Sequence, residues 1–229
     1  MRKLSLIFAG VAVAALGIVP LSFAVAQPTA PSAGARTNSH PTFTWSLPAN
    51  EEADLLRIAS SPTTTPSGEF HQENVVETAF LGTSSQTTWS PSSALFAGQY
   101  WWNVMSHDRE EFNTLYSPPS PFTVAAQTRV QQLRIRRNSY FYIPDELSIT
   151  VGWATNVRNV VVEAKLYRGR RLVGRVQDAT ETFVSLSGDS STLTWKRPRR
   201  VKTGTRLRVV ISVRGGGAVA SLQRFVRAP

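Results

Sequence analysis

The chain has 229 residues, no cysteine, and 25 lysine and arginine residues against 15 acids, which gives a formal net charge of +10. Without cysteine, disulfide scaffolds, thiol catalysis and cysteine metal sites are excluded, so the fold must be held by core packing alone.

The N-terminus has the three-part layout of a secretory signal. Arg2 and Lys3 precede an apolar run over residues 4–26, which ends in small residues before Gln27. We expect residues 1–26 to be a cleaved signal peptide of a secreted or envelope-associated, bacterial-type protein. The alternative is an uncleaved membrane anchor, because about 20 apolar residues can span a bilayer.

Residues 27–40 are rich in Pro, Ser, Thr, Ala and Gly, which indicates a flexible tether with at most a loose first strand. After it, short alternating segments between turn residues predict strands rather than helices. The first group of predicted strands comprises residues 41–46, 54–60, 70–80, 85–89, 99–106 and 120–124.

Aromatic residues mark this first group of strands. Trp45 lies in an early strand, Tyr100 and Trp102 share one face of a later strand, and Leu95 precedes that strand. This pattern resembles a fibronectin type III domain, in which a tryptophan lies on the second strand and a leucine and a tyrosine frame the turn into the sixth. The resemblance covers residues 28–126, with a leucine–tyrosine spacing one residue shorter than in the family.

A second group of strands is predicted at residues 129–137, 146–154, 159–167, 172–177, 192–195, 206–213 and 219–226. Residues 191–198 followed by Gly204 echo residues 85–91 followed by Gly98, which indicates an internal repeat of about 100 residues. The predicted fold is therefore all-β, with two tandem immunoglobulin-like sandwiches, a fibronectin type III-like domain over 41–126 and a basic one over 127–229.

The sequence shows no catalytic pattern. His40, His71 and His107 lack metal-ligand spacing and triad partners, so they are interpreted as solvated residues. There is no nucleophile elbow, and no glycine-rich loop joins a strand to a helix. We therefore predict a protein that is not an enzyme and needs no cofactor.

Charge is divided unevenly along the chain. Residues 27–126 carry 3 arginines and 9 acids, whereas residues 127–229 carry 20 basic residues and 6 acids. If the strands alternate in direction, the first, third and fifth connections of the second sandwich meet at one end. The candidate anion-binding residues on them are Arg136, Arg137, Arg168, Arg170, Arg171, Lys196, Arg197, Arg199, Arg200 and Lys202.

These cations fit an anionic glycopolymer, lipid headgroups or an acidic protein surface as partner. The competing interpretation is a solvated surface that keeps the protein soluble. Nucleic acid is an unlikely partner, because no aromatic platform is interleaved with the basic loops.

Acidic residues of the first sandwich are expected at the opposite end of the molecule. Solvated loops are one interpretation, and a calcium site is the other, formed by Glu51, Asp54, Asp108 and Glu110. Opposite charge at the two ends also permits weak head-to-tail self-association. Trp101 should point away from the core, either as a sugar or partner contact or covered by neighbouring residues.

Three functions fit this sequence. The first is a surface or secreted binding and adhesion module, and the second is a structural spacer or assembly subunit of an envelope complex. The third is an accessory carbohydrate-associated module for a separate hydrolase, which rests on fold analogy with bacterial fibronectin type III domains.

Overall fold

The computed structural model describes residues 25–109, 114–137, 145–180 and 188–229, without the side chains of Thr83 and Thr180. The predicted signal peptide lies almost wholly outside these ranges, and its cleavage stays a prediction. The described elements are strands, apart from one 3₁₀ turn at Gln72–Asn74. None of the described residues belongs to a helix with the length and apolarity needed to cross a bilayer. The predicted all-β class is confirmed.

The first half of the chain forms two sheets, one of three strands and one of six. The order of the first is β1-β3-β6, and the order of the second is β2-β9-β7-β4-β5, with β8 also paired to β7. The strands are β1 Gln27–Ala30, β2 Ala35–Thr37, β3 Phe43–Ser46, β4 Glu51–Ala59, β5 Val75–Ser84, β6 Thr88–Trp89, β7 Gly98–Asp108, β8 Thr114–Tyr116 and β9 Ser120–Val124.

The segment expected to be a tether is built into these sheets. Strand β1 pairs antiparallel with β3, and strand β2 pairs in parallel with β9. The composition of residues 27–40 could not show this, because both pairings depend on partners outside the segment and β9 lies far along the chain from β2. A smaller correction concerns the strand predicted over 70–80, which begins at Val75 because the 3₁₀ turn precedes it.

The aromatic residues of the first half form its core. Trp45, Tyr100, Trp102 and Leu95 are all buried. The hydroxyl of Tyr100 donates a hydrogen bond to the carbonyl oxygen of Phe96 at 3.1 Å, so the tyrosine corner forms despite the shortened spacing. This bond fixes the connection before β7 against the strand itself.

The second half also forms two sheets, one of three strands and one of four. Its strands are β10 Thr128–Arg137, β11 Glu146–Thr155, β12 Val160–Arg168, β13 Arg171–Thr180, β14 Asp189–Lys196, β15 Arg206–Gly215 and β16 Ala218–Arg227. Their sheets have the orders β10-β11-β14 and β13-β12-β15-β16, and every pairing is antiparallel.

Corresponding strands of the two halves carry corresponding aromatics. Trp45 on β3 and Trp153 on β11 are both buried, each on the second strand of the common pattern. Trp89 on β6 and Trp195 on β14 occupy the next equivalent position, as the sequence repeat predicts. The packing of large side chains at the same places gives each half its own hydrophobic cluster.

Polar contacts join the two halves. The amide of Ala97 donates to the carbonyl of Asn156 at 2.8 Å, and the Asn156 side chain donates to the carbonyl of Ala125 at 2.9 Å. The guanidinium of Arg158 lies 4.5 Å from the ring centre of Phe96. The connections after β11 and before β7 therefore meet at the junction.

Candidate functional site

The predicted cations lie at the end of the second half that faces away from this junction. Strands β10, β12 and β14 end there, β13 and β15 begin there, and β16 ends there, because the seven strands alternate in direction. Pairing of Arg168 with Arg171, and of Lys196 with Glu146, places two of the basic segments on adjoining edges of the sandwich. We call residues 136–137, 168–171 and 196–202 the basic end.

Nine of the ten predicted residues are exposed, and Arg197 is the exception. The tight turn between β12 and β13 presents Arg168, Arg170 and Arg171, with Gly169 at a positive φ of 59° that favours glycine. The connection from β14 to β15 presents Arg199, Arg200 and Lys202. Exposed guanidinium groups on short connections can form bidentate contacts with carboxylate or phosphate groups.

Arg197 has a structural role instead. Its side chain is only 17% exposed and is ion-paired with Asp145, to which its Nε donates at 3.1 Å. Its Nη1 also donates to the carbonyl of Val201 at 2.7 Å, and Val201 is buried. Arg197 therefore holds the β14–β15 connection against the start of β11, and its charge is largely neutralised.

Two further exposed cations border the basic end, and sequence reasoning did not assign them to it. Arg206 begins β15 and Arg227 ends β16, and the two are paired in register. The sequence analysis predicted strands over 206–213 and 219–226 and took its candidate cations from the connections between predicted strands. Arg206 directly follows the fifth connection and Arg227 ends the last strand, so the alternation of strand direction would have placed both at this end.

The acidic residues of the first half lie at the end of that half that faces away from the junction. Several of them already form ion pairs or hydrogen bonds. Glu52 Oε1 lies 2.6 Å from Arg109 Nη2, and Asp54 Oδ2 lies 2.8 Å from His107 Nδ1. The hydroxyl of Ser106 donates to Glu51 Oε2 at 2.5 Å. The interpretation of His107 as solvated is therefore wrong, since its side chain is 13% exposed and paired.

These contacts involve Glu51 and Asp54, which are two of the four residues of the predicted calcium site. Among the described residues no three His, Asp or Glu side chains are grouped as metal ligands, but Glu110 lies outside those residues. Asp108 pairs in register with Glu51. A calcium site that includes Glu110 stays a prediction.

Trp101 is partly buried on the outer face of the six-stranded sheet. Its neighbours across the sheet are Ala59 and Pro121, whereas Tyr100 and Trp102 on either side of it are buried in the core. The outward direction follows from the alternation of β7. A sugar or partner contact at Trp101 stays a prediction.

A groove of about 760 Å³ lies at the junction of the two halves. Its described lining is mostly apolar and includes Phe96, Tyr100 and Val157. The charged side chains among these lining residues are Arg36 and Arg158. The groove therefore brings two guanidinium groups beside an apolar surface.

No protein-family model and no curated protein matches the chain. Among solved structures, the FN1–FN3 domains of chicken CNTN1 are 14% identical, with a TM-score of 0.32 over 88% of this chain and 66% of that chain. An α-L-rhamnosidase from Dictyoglumus thermophilum is 10% identical, with a TM-score of 0.29 over 89% of this chain and 28% of that chain.

A DUF3823 family protein from Bacteroides ovatus is 11% identical, with a TM-score of 0.30 over 89% of this chain and 97% of that chain. The chain spans less than two thirds of the length of the chicken and Dictyoglumus chains. At these TM-scores the fold class rests on the strands and pairings described above.

Proposed function

We propose that the chain is an exported, non-catalytic binding module that docks to an anionic glycopolymer through the basic end. One observation supports this most directly: nine predicted cations are exposed on strand ends and connections that share one end of the second half. Asp145 at this end is already paired with Arg197, so it does not neutralise the exposed arginines.

The physical basis is charge density together with geometry. Exposed arginines at a common end sum their potentials and steer an anionic polymer toward it. The planar guanidinium groups then bind phosphate or carboxylate groups through two parallel hydrogen bonds. The Debye length is about 8 Å at physiological ionic strength, and charges farther apart than this are largely screened. Such docking should therefore weaken steeply with added salt.

Retention on a matrix of phosphate-bearing glycopolymer at low salt tests the proposal. The test variant replaces four exposed residues of the basic end by glutamine, and they are Arg170, Arg171, Arg199 and Arg200. Its matched control replaces four exposed arginines elsewhere, and they are Arg36, Arg129, Arg134 and Arg224.

Both variants lose the same formal charge, so a difference between them reports position and not net charge. We expect the test variant to elute without retention and the control to be retained nearly as well as the wild type. Equal retention of the two variants would contradict docking through the basic end. Unchanged unfolding temperatures would show that both variants are folded.

Export is a separate part of the proposal and rests on the sequence of residues 1–26. Expression with this segment in a bacterial host should release a mature chain that begins at Gln27. Mass spectrometry of the extracellular or periplasmic fraction measures this directly. Recovery of the intact chain in the membrane fraction would instead support the uncleaved anchor.

A further inference from the structure

The outer face of the β13-β12-β15-β16 sheet is a second charged surface, distinct from the connections of the basic end. On β12 the side chains of Val162, Ala164 and Leu166 are buried in the core. The alternate positions of the same strand therefore face outward. On the outer positions of the four strands stand six cations, Lys165, Arg175, Arg206, Arg208, Arg214 and Arg227.

An aromatic row crosses this face. The strand register places Phe225, Arg208, Tyr167 and Leu172 side by side on four neighbouring strands. Neighbouring strands are roughly 4.8 Å apart, which separates Phe225 from Tyr167 by about 10 Å. Phe225 is 57% exposed and Leu172 is 45% exposed, so the row offers apolar surface to solvent.

Guanidinium groups are interleaved with these rings. The Cζ atom of Arg208 lies 4.9 Å from the ring centre of Tyr167, and the Cζ atom of Arg206 lies 4.5 Å from that of Phe225. The cation–π contacts hold these arginines beside the rings, and the buried Nε donor of Arg208 has no hydrogen-bond partner among the described residues.

Beside the aromatic row, three cations surround Glu163, which is the single acid at the outer positions described for the four strands of this sheet. Lys165 Nζ lies 3.2 Å from Glu163 Oε2, and Arg175 and Arg214 also form ion pairs with this carboxylate. Glu163 is 1% exposed, whereas its partners reach solvent. One buried carboxylate thus orders three cations and leaves the face strongly positive.

We propose that this outer face binds an acidic polysaccharide, whose uronate carboxylates pair with Arg208 and its neighbours while its sugar rings pack on the exposed apolar surface of Phe225 and Leu172. Apolar ring faces fit the exposed aromatic surface, and carboxylates fit the guanidinium donors. A ring-free polyphosphate would leave the aromatic row unused. A neutral polysaccharide would leave the cations without partners.

Single-stranded nucleic acid is less well matched to this face. Its bases need successive free ring faces on which to stack. Arg208 lies over Tyr167, and Tyr167 is only partly exposed. The inference goes beyond docking at the basic end, because Tyr167, Arg208 and Phe225 are not part of that end.

The test is calorimetric binding of a glucuronic acid oligosaccharide to the full chain and to Phe225→Ala. The matched control is Phe80→Ala, which removes an 84% exposed phenylalanine from β5 in the first half. We expect Phe225→Ala to weaken uronate binding by about tenfold and Phe80→Ala to leave it unchanged. A second variant, Arg208→Gln, should also weaken it, and both should unfold at the wild-type temperature.

Equal affinity of the wild type and Phe225→Ala for the oligosaccharide would overturn the inference. Binding of polyphosphate or oligothymidylate as tightly as the uronate oligosaccharide would also overturn it. Charge alone or base stacking would then account for the affinity. In the four-arginine variant of the basic end, the loss caused by Phe225→Ala should persist. If that variant loses all uronate binding while Phe225→Ala loses none, the basic end alone is the site.

Discussion

The hydroxyl of Tyr100 donates a hydrogen bond to the carbonyl oxygen of Phe96, and the ring of Phe96 in turn lies beneath Arg158 of the second half. The tyrosine corner therefore does more than secure its own sandwich. It also fixes a residue that contacts the neighbouring half, so a local bond within the first half shapes the junction.

Replacement of Tyr100 by phenylalanine should lower the free energy of unfolding by about 1 kcal/mol, because a partly buried carbonyl loses its hydrogen-bond donor. Urea denaturation measures this change. The matched control is Tyr167→Phe, whose hydroxyl has no hydrogen bond among the described residues and should leave stability nearly unchanged. Equal stability of Tyr100→Phe and the wild type would show that the bond contributes nothing.

Stability should also decline at alkaline pH. Burial raises the pKa of Tyr100, and the charge of Arg158 only partly opposes this. An unfolded tyrosine ionises near pH 10, roughly its ordinary value, while the folded one still holds its proton. The stabilisation is complete below that pH and is lost as the pH rises above it.

Unfolding free energies on both sides of that pH check this prediction. Tyr100→Phe should show a shallower decline than the wild type. Burial also raises the pKa of Tyr116, so part of the decline should remain in the variant. An identical decline in both proteins would rule out Tyr100 as its source.

Glu163→Gln should destabilise the second half by about 2 kcal/mol, because Lys165, Arg175 and Arg214 would then face each other without a carboxylate. Burial alone would raise the pKa of Glu163, but the hydrogen bond and charge of Lys165 and the two arginines lower it overall. This stabilisation is present above the ordinary carboxyl pKa and is lost as the pH falls through the lowered one.

Thermal unfolding at neutral and acidic pH measures both effects. The exposed Glu73 supplies the control, since Glu73→Gln should leave the unfolding temperature unchanged. A wild type and Glu163→Gln variant that converge in stability at low pH would agree with the ion pairs described. A constant difference at all pH values would point to packing instead.

Arg197→Lys should lower stability by about 1 kcal/mol without weakening retention on an anionic matrix. Lysine keeps the charge but cannot donate both to Asp145 and to the carbonyl of Val201 in the same geometry. Arg199→Lys, two residues away and exposed, should leave stability unchanged. If Arg197→Lys lost retention while remaining stable, its assignment as a structural residue would be wrong.

The sequence predicted most strands because their alternation of apolar and polar residues is a local property. The buried residues Leu207, Val209 and Ile211 of β15 show this period directly. The pairing of β2 with β9 could not be predicted in this way, because it joins residues about 87 positions apart in a segment without periodicity. Composition alone therefore made this segment look like a tether.

In the candidate site, too, some features could be predicted from local sequence and others depend on the fold. The exposure of Arg170 and Arg199 follows from charge and turn signals that can be read locally. The pairing of Arg197 with Asp145 depends on the folded register of two strands 52 residues apart. The row that joins Tyr167 to Phe225 also depends on register, and on an irregularity after Leu166 that brings Leu172 beside Tyr167.

Amide chemical shifts of the isotope-labelled chain, followed during titration with a phosphate-bearing glycopolymer, test the central proposal most directly. We predict that the shifts concentrate in residues 168–171 and 196–202, disappear on addition of salt, and leave residues 51–54 of the first half unchanged. Shifts spread evenly over both halves, or confined to the first half, would contradict docking through the basic end.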